Sequence, residues 1–451
     1  MLFVCKLRYN SAKHYKGCLV NQLETILDTL QDKHVFLTGG AGTGKSYLTN
    51  KVIEHYQTQE HQVVALGSTG VSAVNVGGFT IHSFFVFGIS ANFSELAQSD
   101  KRNRKRLNDL KAILKTSKLI VIDEISMVST DLMDMILFRL EHYNYTGKLM
   151  LVGDFYQLPP VVKKETSNDL FDKPLYAFES TAWQRIDPFV IELTQMKRTQ
   201  DVEFTHILGK IRTGICDKEV QNYCVALSHN IADEARNPTY LYGRNLEAEQ
   251  LNRAKLNALP GEETIMVAQQ EMFTSVHPKR LETWKRMLPI SEQLTLKVGA
   301  PVLFTVNKWG SFVNGERGIL RAIEAHHLLV EKENELVRVE QHAFDLFEMV
   351  VGSNGKIEQL TLATLHQFPI KLAYAVTIHK SQGMSIDHLV CNVDHIFAPS
   401  QFYVAISRAT DPRQLKIEYN RGHLLHYLHR MIRIDERVRV FYQNDKTNKR
   451  E

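Results

Sequence analysis

"FLTGGAGTGKSYL", residues 36–48, begins as an apolar run, breaks into glycines and ends on Lys45, Ser46 and a resumed apolar pattern. The spacing Gly39-x-x-x-x-Gly44-Lys45-Ser46 is that of a phosphate-binding loop. In such a loop glycines let successive backbone N–H groups turn inward, the lysine reaches the outer phosphates and the hydroxyl ligates magnesium. "SYLTNKVIEHY" reads as a helix, whose N-terminus adds the positive end of a dipole. A merely structural turn needs neither the lysine nor the serine. Gly40, Ala41, Gly42, Thr43, Gly44, Lys45, Ser46 and Tyr47 are therefore expected to surround the phosphates of a nucleoside triphosphate.

Composition limits what else the chain can be. It has 451 residues, 44% of them hydrophobic and 23% charged, as in ordinary globular proteins of several domains. No apolar run reaches the roughly 18 residues that span a bilayer, and "MLFVCKLRYN" lacks a secretory signal's pattern. A cytoplasmic protein that does not engage membranes is expected. Five scattered cysteines without a C-x-x-C pair point to reduced thiols, and the 19 histidines form no zinc-ligand spacing. Net charge is only +4, but "DKRNRKRLNDLKAILKTSK", 100–118, concentrates basic residues. Its Leu107, Leu110, Ile113 and Leu114 fall at helical spacing, so one face should pack while the basic face either is simply solvated or meets nucleic acid.

Strand-like and helix-like segments alternate through the first half: "HVFLT", "SYLTNKVIEHY", "QVVALGS", "KLIVIDE", "DLMDMILFRLEHY", "GKLMLVGD". That alternation predicts a parallel sheet with crossover helices. "TYLYGRNLEAEQLNRAKLNAL", "AYAVTIHK", "HLVCNVD" and "QFYVAIS" suggest a second α/β series. Between them, about 295–360, short apolar runs with turn residues read as an inserted antiparallel barrel. The charged tail from Arg430 is expected to fray.

"KLIVIDEIS" would deliver Asp123 and Glu124 at the C-terminal end of an apolar strand, where open α/β sheets bind ligands. Asp123, with Ser46, is expected to hold magnesium, and Glu124 to orient and deprotonate the attacking water. In "LVGDFYQLPPV" the amide of Gln157, which both donates and accepts, could touch a γ-phosphate and a water together.

Taken in order, "GGAGTGKS", "STGVSAVNVGGFTIHSFF", "IDEISMV", "GDFYQLPPV", "AYAVTIHKSQGMS" and "QFYVAISRA" resemble the motif series of superfamily-one helicases, specifically the PIF (petite integration frequency) type related to RecD and Dda. The resemblance runs from about residue 19 to 410. It implies two RecA-like parallel-sheet motor domains with a small inserted wedge and an inserted Src-homology-type β-barrel. ATP would lie in the cleft, single-stranded DNA across the top, and movement would run 5′ to 3′. The implied boundaries are 1–197 for the N-terminal segment and first domain, with a wedge at about 75–115. The second domain would comprise 198–294 and 361–428, the barrel 295–360, and a C-terminal helix and tail 429–451.

By the same resemblance Gln22, 17 positions before Gly39, reads adenine, and Arg198 and Arg408 stabilise the transition state across the cleft. Gly383 also falls at the nucleotide. Ser68, Thr69, His82, Thr377, His379, Lys380, Ser381 and Gln382 are expected to contact DNA phosphates, and Phe84, Phe85 and Phe87 to stack bases or pack in the core. The implied partners are single-stranded and forked or structured DNA, met by a monomer of bacterial or phage type. A GTPase would offer an N-K-x-D guanine reader, whereas "NKWG" at 307 lacks the aspartate, and a kinase has no use for "TIHKSQG". A nucleic-acid clamp that hydrolyses ATP without unwinding remains the alternative.

Overall fold

A strand covered on both faces must be apolar along its length, and β1 (Val35–Gly39) is buried at every position. It lies inside a six-stranded sheet of order β3-β2-β4-β5-β1-β6. The other strands are β2 (Gln62–Gly67), β3 (Phe79–Thr80), β4 (Ser117–Asp123), β5 (Lys148–Val152) and β6 (Phe189–Leu193). Every pairing in it is parallel. The computed structural model describes residues 21–88, 93–160, 175–234, 237–308, 310–352, 357–396 and 398–448. Cys5, Cys18, part of the expected wedge and the last residues of the tail lie outside them.

Crossover helices cover this sheet: α1 (21–32), α2 (Lys45–Thr58), α3 (Gly70–Asn75) and α4 (Ile81–Phe84) precede the inserted pair α5 (Phe93–Arg102) and α6 (Arg104–Thr116). α7 (Thr130–His142) and α8 (Thr181–Ile186) complete the layer. α6 buries Leu107, Leu110, Ile113 and Leu114, the stripe expected from the sequence, and leaves Arg104, Lys105, Lys111 and Lys115 exposed, while Arg106 is half-buried. Arg139 on α7 ties the insertion down. Its guanidinium donates to both oxygens of Asp100 and to the Phe85 carbonyl (3.2 Å), and lies over the Phe87 ring.

The second α/β unit places α9 (Val202–Arg212), α10 (Lys218–His229) and α11 (Asn245–Ala258) around a parallel sheet. Its order is β18-β7-β19-β20, from β7 (Thr239–Tyr242), β18 (Ala375–Thr377), β19 (Leu389–Asn392) and β20 (Leu415–Glu418). α13 (Pro399–Ile406) and α14 (Leu424–Met431) pack into the same core.

The antiparallel module is larger than 295–360. β8 (Thr264–Val267) pairs with β10 (Gln293–Leu296), and β9 (Gln269–Met272) pairs with β16 (Ile357–Gln367). α12 (Pro278–Met287) lies between them. β11 (Pro301–Phe304), β12 (Arg317–Ile323), β13 (His327–Lys332), β14 (Glu335–Glu340) and β17 (Ile370–Leu372) form a second sheet, and β15 (His342–Val351) makes a long hairpin with β16. The module thus runs from Thr264 to Leu372. Its outer strands were illegible because β9, "QQEM", is exposed at every position and carries no apolar alternation. The hairpin reaches α6: Phe347 meets Phe79 edge-on at 4.5 Å, and Glu348 pairs with Arg106 at 3.0 Å.

The C-terminal segment is also a correction. Rather than fraying from Arg430, it forms α15 (Glu436–Asn448), with Val438 and Tyr442 buried in the core of the first domain. The resemblance implies a C-terminal helix, but its buried residues are spaced i, i+4 on one face, so a charged composition hid the anchoring.

Candidate active site and nucleic-acid face

β1 ends in a loop whose backbone takes conformations that glycine alone adopts without strain. Gly39, Gly42 and Gly44 have φ of 147°, 72° and 99°, and Gly44 caps α2 in a left-handed conformation. A Cβ on Gly42 would stand 2.6 Å from Cβ of Arg198, and one on Gly39 2.5 Å from the Leu193 carbonyl. The loop therefore has neighbours from the start of the second unit built against it. Thr43 Oγ1 donates to the Gly40 carbonyl (2.9 Å), and Lys45 Nζ donates to the carbonyls of Gly39 (2.6 Å) and Gly40 (3.1 Å). The Ala41 N–H donates to the Tyr403 hydroxyl at 2.9 Å, so a tyrosine of α13 sits against the phosphate loop. Ser46 and Tyr47, at the start of α2, face outward.

β4 carries Asp123 to the same end of the sheet, and Glu124 turns the chain with φ of 55°. Burial raises both carboxyls, Asp123 to about 6 and Glu124 to about 7, against the opposing pull of Lys45. Arg408 also pulls on Glu124. A carboxyl poised this way suits proton transfer near neutrality. Gln157 is 5% exposed, and its amide donates to Asp154 Oδ2 at 3.3 Å. Asp154 itself is fully buried and receives both Nε and Nη2 of Arg212 at 3.0 Å. Arg212 and Tyr403 were missed from the sequence. "KIRTG" carries no motif, and only the fold brings α9 to the end of β5.

Arg198 and Arg408 lie together on the second-domain side. Arg198 donates to the Ser407 carbonyl (2.7 Å), to Ser385 Oγ (2.9 Å) and to the Gly383 carbonyl (3.4 Å). Arg408, 2% exposed, donates to the Val404 carbonyl (2.8 Å) and Ser407 Oγ (3.0 Å). Burial lowers its pKa to about 10, so it keeps its charge at neutral pH. Gln22 stands at the start of α1 with its Oε1 buried and unpartnered.

The expected DNA residues divide. Thr69 caps α3, accepting from Ser72 N at 3.1 Å, and Ser68 N–H donates to the Asp123 carbonyl at 3.3 Å. His82 is half-buried, and burial lowers its pKa. Lys380 is exposed and His379 half-buried. Phe84, Phe85 and Phe87 are 6%, 0% and 0% exposed, so they are core residues and cannot stack bases. Their place on the short helix α4 and the turn after it points them beneath the sheet, where Phe85 and Phe87 stack on each other at 5.5 Å. Thr377 and Ser381 are buried too, and Ser381 Oγ donates to the Ile378 carbonyl (2.8 Å), shaping the turn from inside. The amide of Gln382 donates to Glu124 Oε2 at 2.9 Å, a contact the sequence did not suggest. Each candidate DNA segment is thus one hydrogen bond from one of two adjacent acidic residues.

Two parallel-sheet units, a phosphate loop, strand-end carboxylates and arginines from the facing unit define a nucleotide-hydrolysing motor of two domains. The PIF1-like helicase family model matches residues 18–222. The chain is 41% identical to the ATP-dependent DNA helicase Pif1 of Campylobacter jejuni, over 91% of this chain and 94% of that one. Bacteroides Pif1 in complex with ADP-AlF4 superposes with a TM-score of 0.76 at 26% identity, covering 94% of this chain and 96% of that one. Bacteroides Pif1 bound to single-stranded DNA matches with a TM-score of 0.64, covering 95% and 97%. The chain belongs to the PIF1-like helicase family.

Proposed function

We propose that this chain, an ATP-dependent DNA helicase, translocates 5′ to 3′ along single-stranded DNA and opens forked or structured duplex ahead of it. The observation that carries the reading is the hydrogen bond from Gln382, in "TIHKSQG" of the second domain, to Glu124 of the first. Through it a strand lying on the second domain can alter the group that deprotonates water. The complex of Bacteroides Pif1 with single-stranded DNA supports the same partner.

In this mechanism the phosphate-loop amides and Lys45 bind the β- and γ-phosphates of ATP, and Gln22 Oε1 accepts from the adenine amino group. Ser46 and Asp123 offer a hydroxyl and a carboxylate, the oxygen donors magnesium takes when nucleotide phosphates and water fill its other positions. Held by these residues, magnesium would supply positive charge against the phosphates. Glu124 takes the proton of the attacking water, and Gln157 orients it. Arg198 and Arg408 donate to the γ-phosphate as the domains close, exchanging their present carbonyl partners for it. Ser68, Thr69, His82, His379 and Lys380 grip phosphates without reading bases. α5 and α6 serve as the wedge that parts the strands.

A strand-displacement assay with 5′-tailed and 3′-tailed duplexes, ATP and magnesium tests the reading. The 5′-tailed substrate should open and the 3′-tailed one should not. Equal opening, or DNA-stimulated hydrolysis without any displacement, would overturn it.

A further inference from the structure

By chain order α15 belongs to the second domain, yet it docks on the first. α14 buries Tyr427, Leu428 and Met431 in the second core, together with Ile432. The chain then crosses over, and Val438 and Tyr442 enter the core of the first domain. Tyr442 is 4% exposed, and its ring stacks on Tyr156 with centroids 4.6 Å apart and planes 11° apart. Its hydroxyl lies 2.8 Å from Thr38 Oγ1 and accepts the Phe155 N–H at 3.2 Å. Thr38, fully buried, immediately precedes Gly39 of the phosphate loop. Phe155 follows Asp154, the carboxylate that receives both Arg212 and Gln157. The Arg212 guanidinium carbon sits 4.7 Å from the Tyr156 ring and 5.9 Å from the Tyr442 ring, closing the cluster.

We propose that Tyr442 is a positioning residue for ATP hydrolysis: one phenol hydroxyl clamps the strand end that carries the phosphate loop to the turn that carries Gln157. The proposal rests on the reading of Gln157 as the group that meets the γ-phosphate. A hydroxyl has one donor and two acceptor positions, enough to serve a backbone N–H and a threonine hydroxyl at once. Burial holds the phenol protonated, so the clamp stays neutral through the working pH range. Phenylalanine in its place keeps the ring, its stacking and nearly all its volume, and removes only the clamp. Phe155 N–H and Thr38 are then left buried without this partner, and the turn is free to settle at a different distance from the loop. Because α15 is tethered to the second domain through 432–435, the clamp also brings a second-domain segment to the back of the phosphate loop.

The test uses the full chain and DNA-stimulated ATP turnover. Tyr442→Phe should lower kcat about tenfold, the effect of a displaced catalytic group held by one hydrogen bond. Affinity for a fluorescent ADP should stay within about twofold, since the loop amides and Lys45 are untouched. Thr38→Val should reproduce the loss, and the double variant should be no slower than the slower single, because both remove one clamp. Val438→Ala, which thins the same helix without touching loop or turn, should lower Tm and leave kcat unchanged well below melting. Unchanged kcat in Tyr442→Phe, additive losses in the double variant, or an equal kcat loss in Val438→Ala would each overturn the proposal. A separate arm, Gln157→Ala, keeps the two readings distinct. Full turnover there removes the γ-phosphate role of Gln157, whatever Tyr442→Phe does.

Discussion

Glu124 sits at the end of a strand, in a left-handed turn, with its carboxyl raised to about 7 by burial. Glu124→Gln keeps shape and hydrogen-bonding capacity and removes the base. ATP turnover should fall by about 10²–10⁴ while nucleotide binding persists. Lys45→Ala should instead lose both, because it removes a charge from the phosphates. Single-turnover hydrolysis beside a nucleotide titration separates the two, and normal turnover by Glu124→Gln would show that another group takes the proton. Much of this site could be read in the sequence because loop glycines and strand-end carboxylates are local patterns with fixed spacing. Arg212 and Tyr403 could not, since their partners, Asp154 and Ala41, are 58 and 362 residues away. The motif around Gln382 finds the right turn, and its contact with Glu124 appears only in the fold: spacing locates a side chain on a turn and leaves open which protein neighbour it meets.

Among the elements, those with strong periodicity emerged from the sequence as they stand in the fold, α2, α6 and α7 above all. The aromatic run in "TIHSFFVF" could not be resolved that way, because a stacking platform and a core wall use the same residues. Packing decides it: Phe85 is fully buried, stacks on Phe87, and its carbonyl accepts from the buried Arg139. Phe85→Ala should therefore cost about 3–5 kcal/mol of stability, the scale of a large aromatic lost from a packed core. Urea unfolding measures it. A variant of full stability but weakened DNA binding would return these phenylalanines to the DNA face. The docking of α15 on the first domain escaped notice for a different reason. A helix whose outer face is charged has low mean hydropathy, and its few buried residues declare themselves only once a partner surface exists.

At the scale of the whole molecule, the two parallel sheets meet across a cleft that direct protein contacts bridge. Tyr403 touches the phosphate loop, Gln382 holds Glu124, and Arg212 donates to both oxygens of Asp154 at 3.0 Å. Arg198 and Arg408 are satisfied by carbonyls and hydroxyls of the second domain. A phosphate must offer each guanidinium more than those neutral acceptors do, and a charge-assisted, two-pronged bond does so. In the proposed mechanism the γ-phosphate would drive closure, and its loss on hydrolysis would return the arginines to the carbonyls and let the domains part, one step per ATP. Arg198→Ala should lower DNA-stimulated turnover by roughly 10³ or more, the scale of an arginine finger, and unwinding should fall in parallel. Arg408→Ala should do the same, but it also unseats the Val404 and Ser407 contacts, so its Tm must be measured beside its rate. Arg408→Lys is the sharper variant, because it keeps the charge and loses the fork. The double substitution Arg198→Ala with Arg408→Lys should be little slower than the slower single, since both arginines serve one transition state. Turnover by Arg408→Lys within about threefold of the parent at saturating ATP would leave Arg408 a structural residue of the second core, and closure would have to be driven by Arg198 alone.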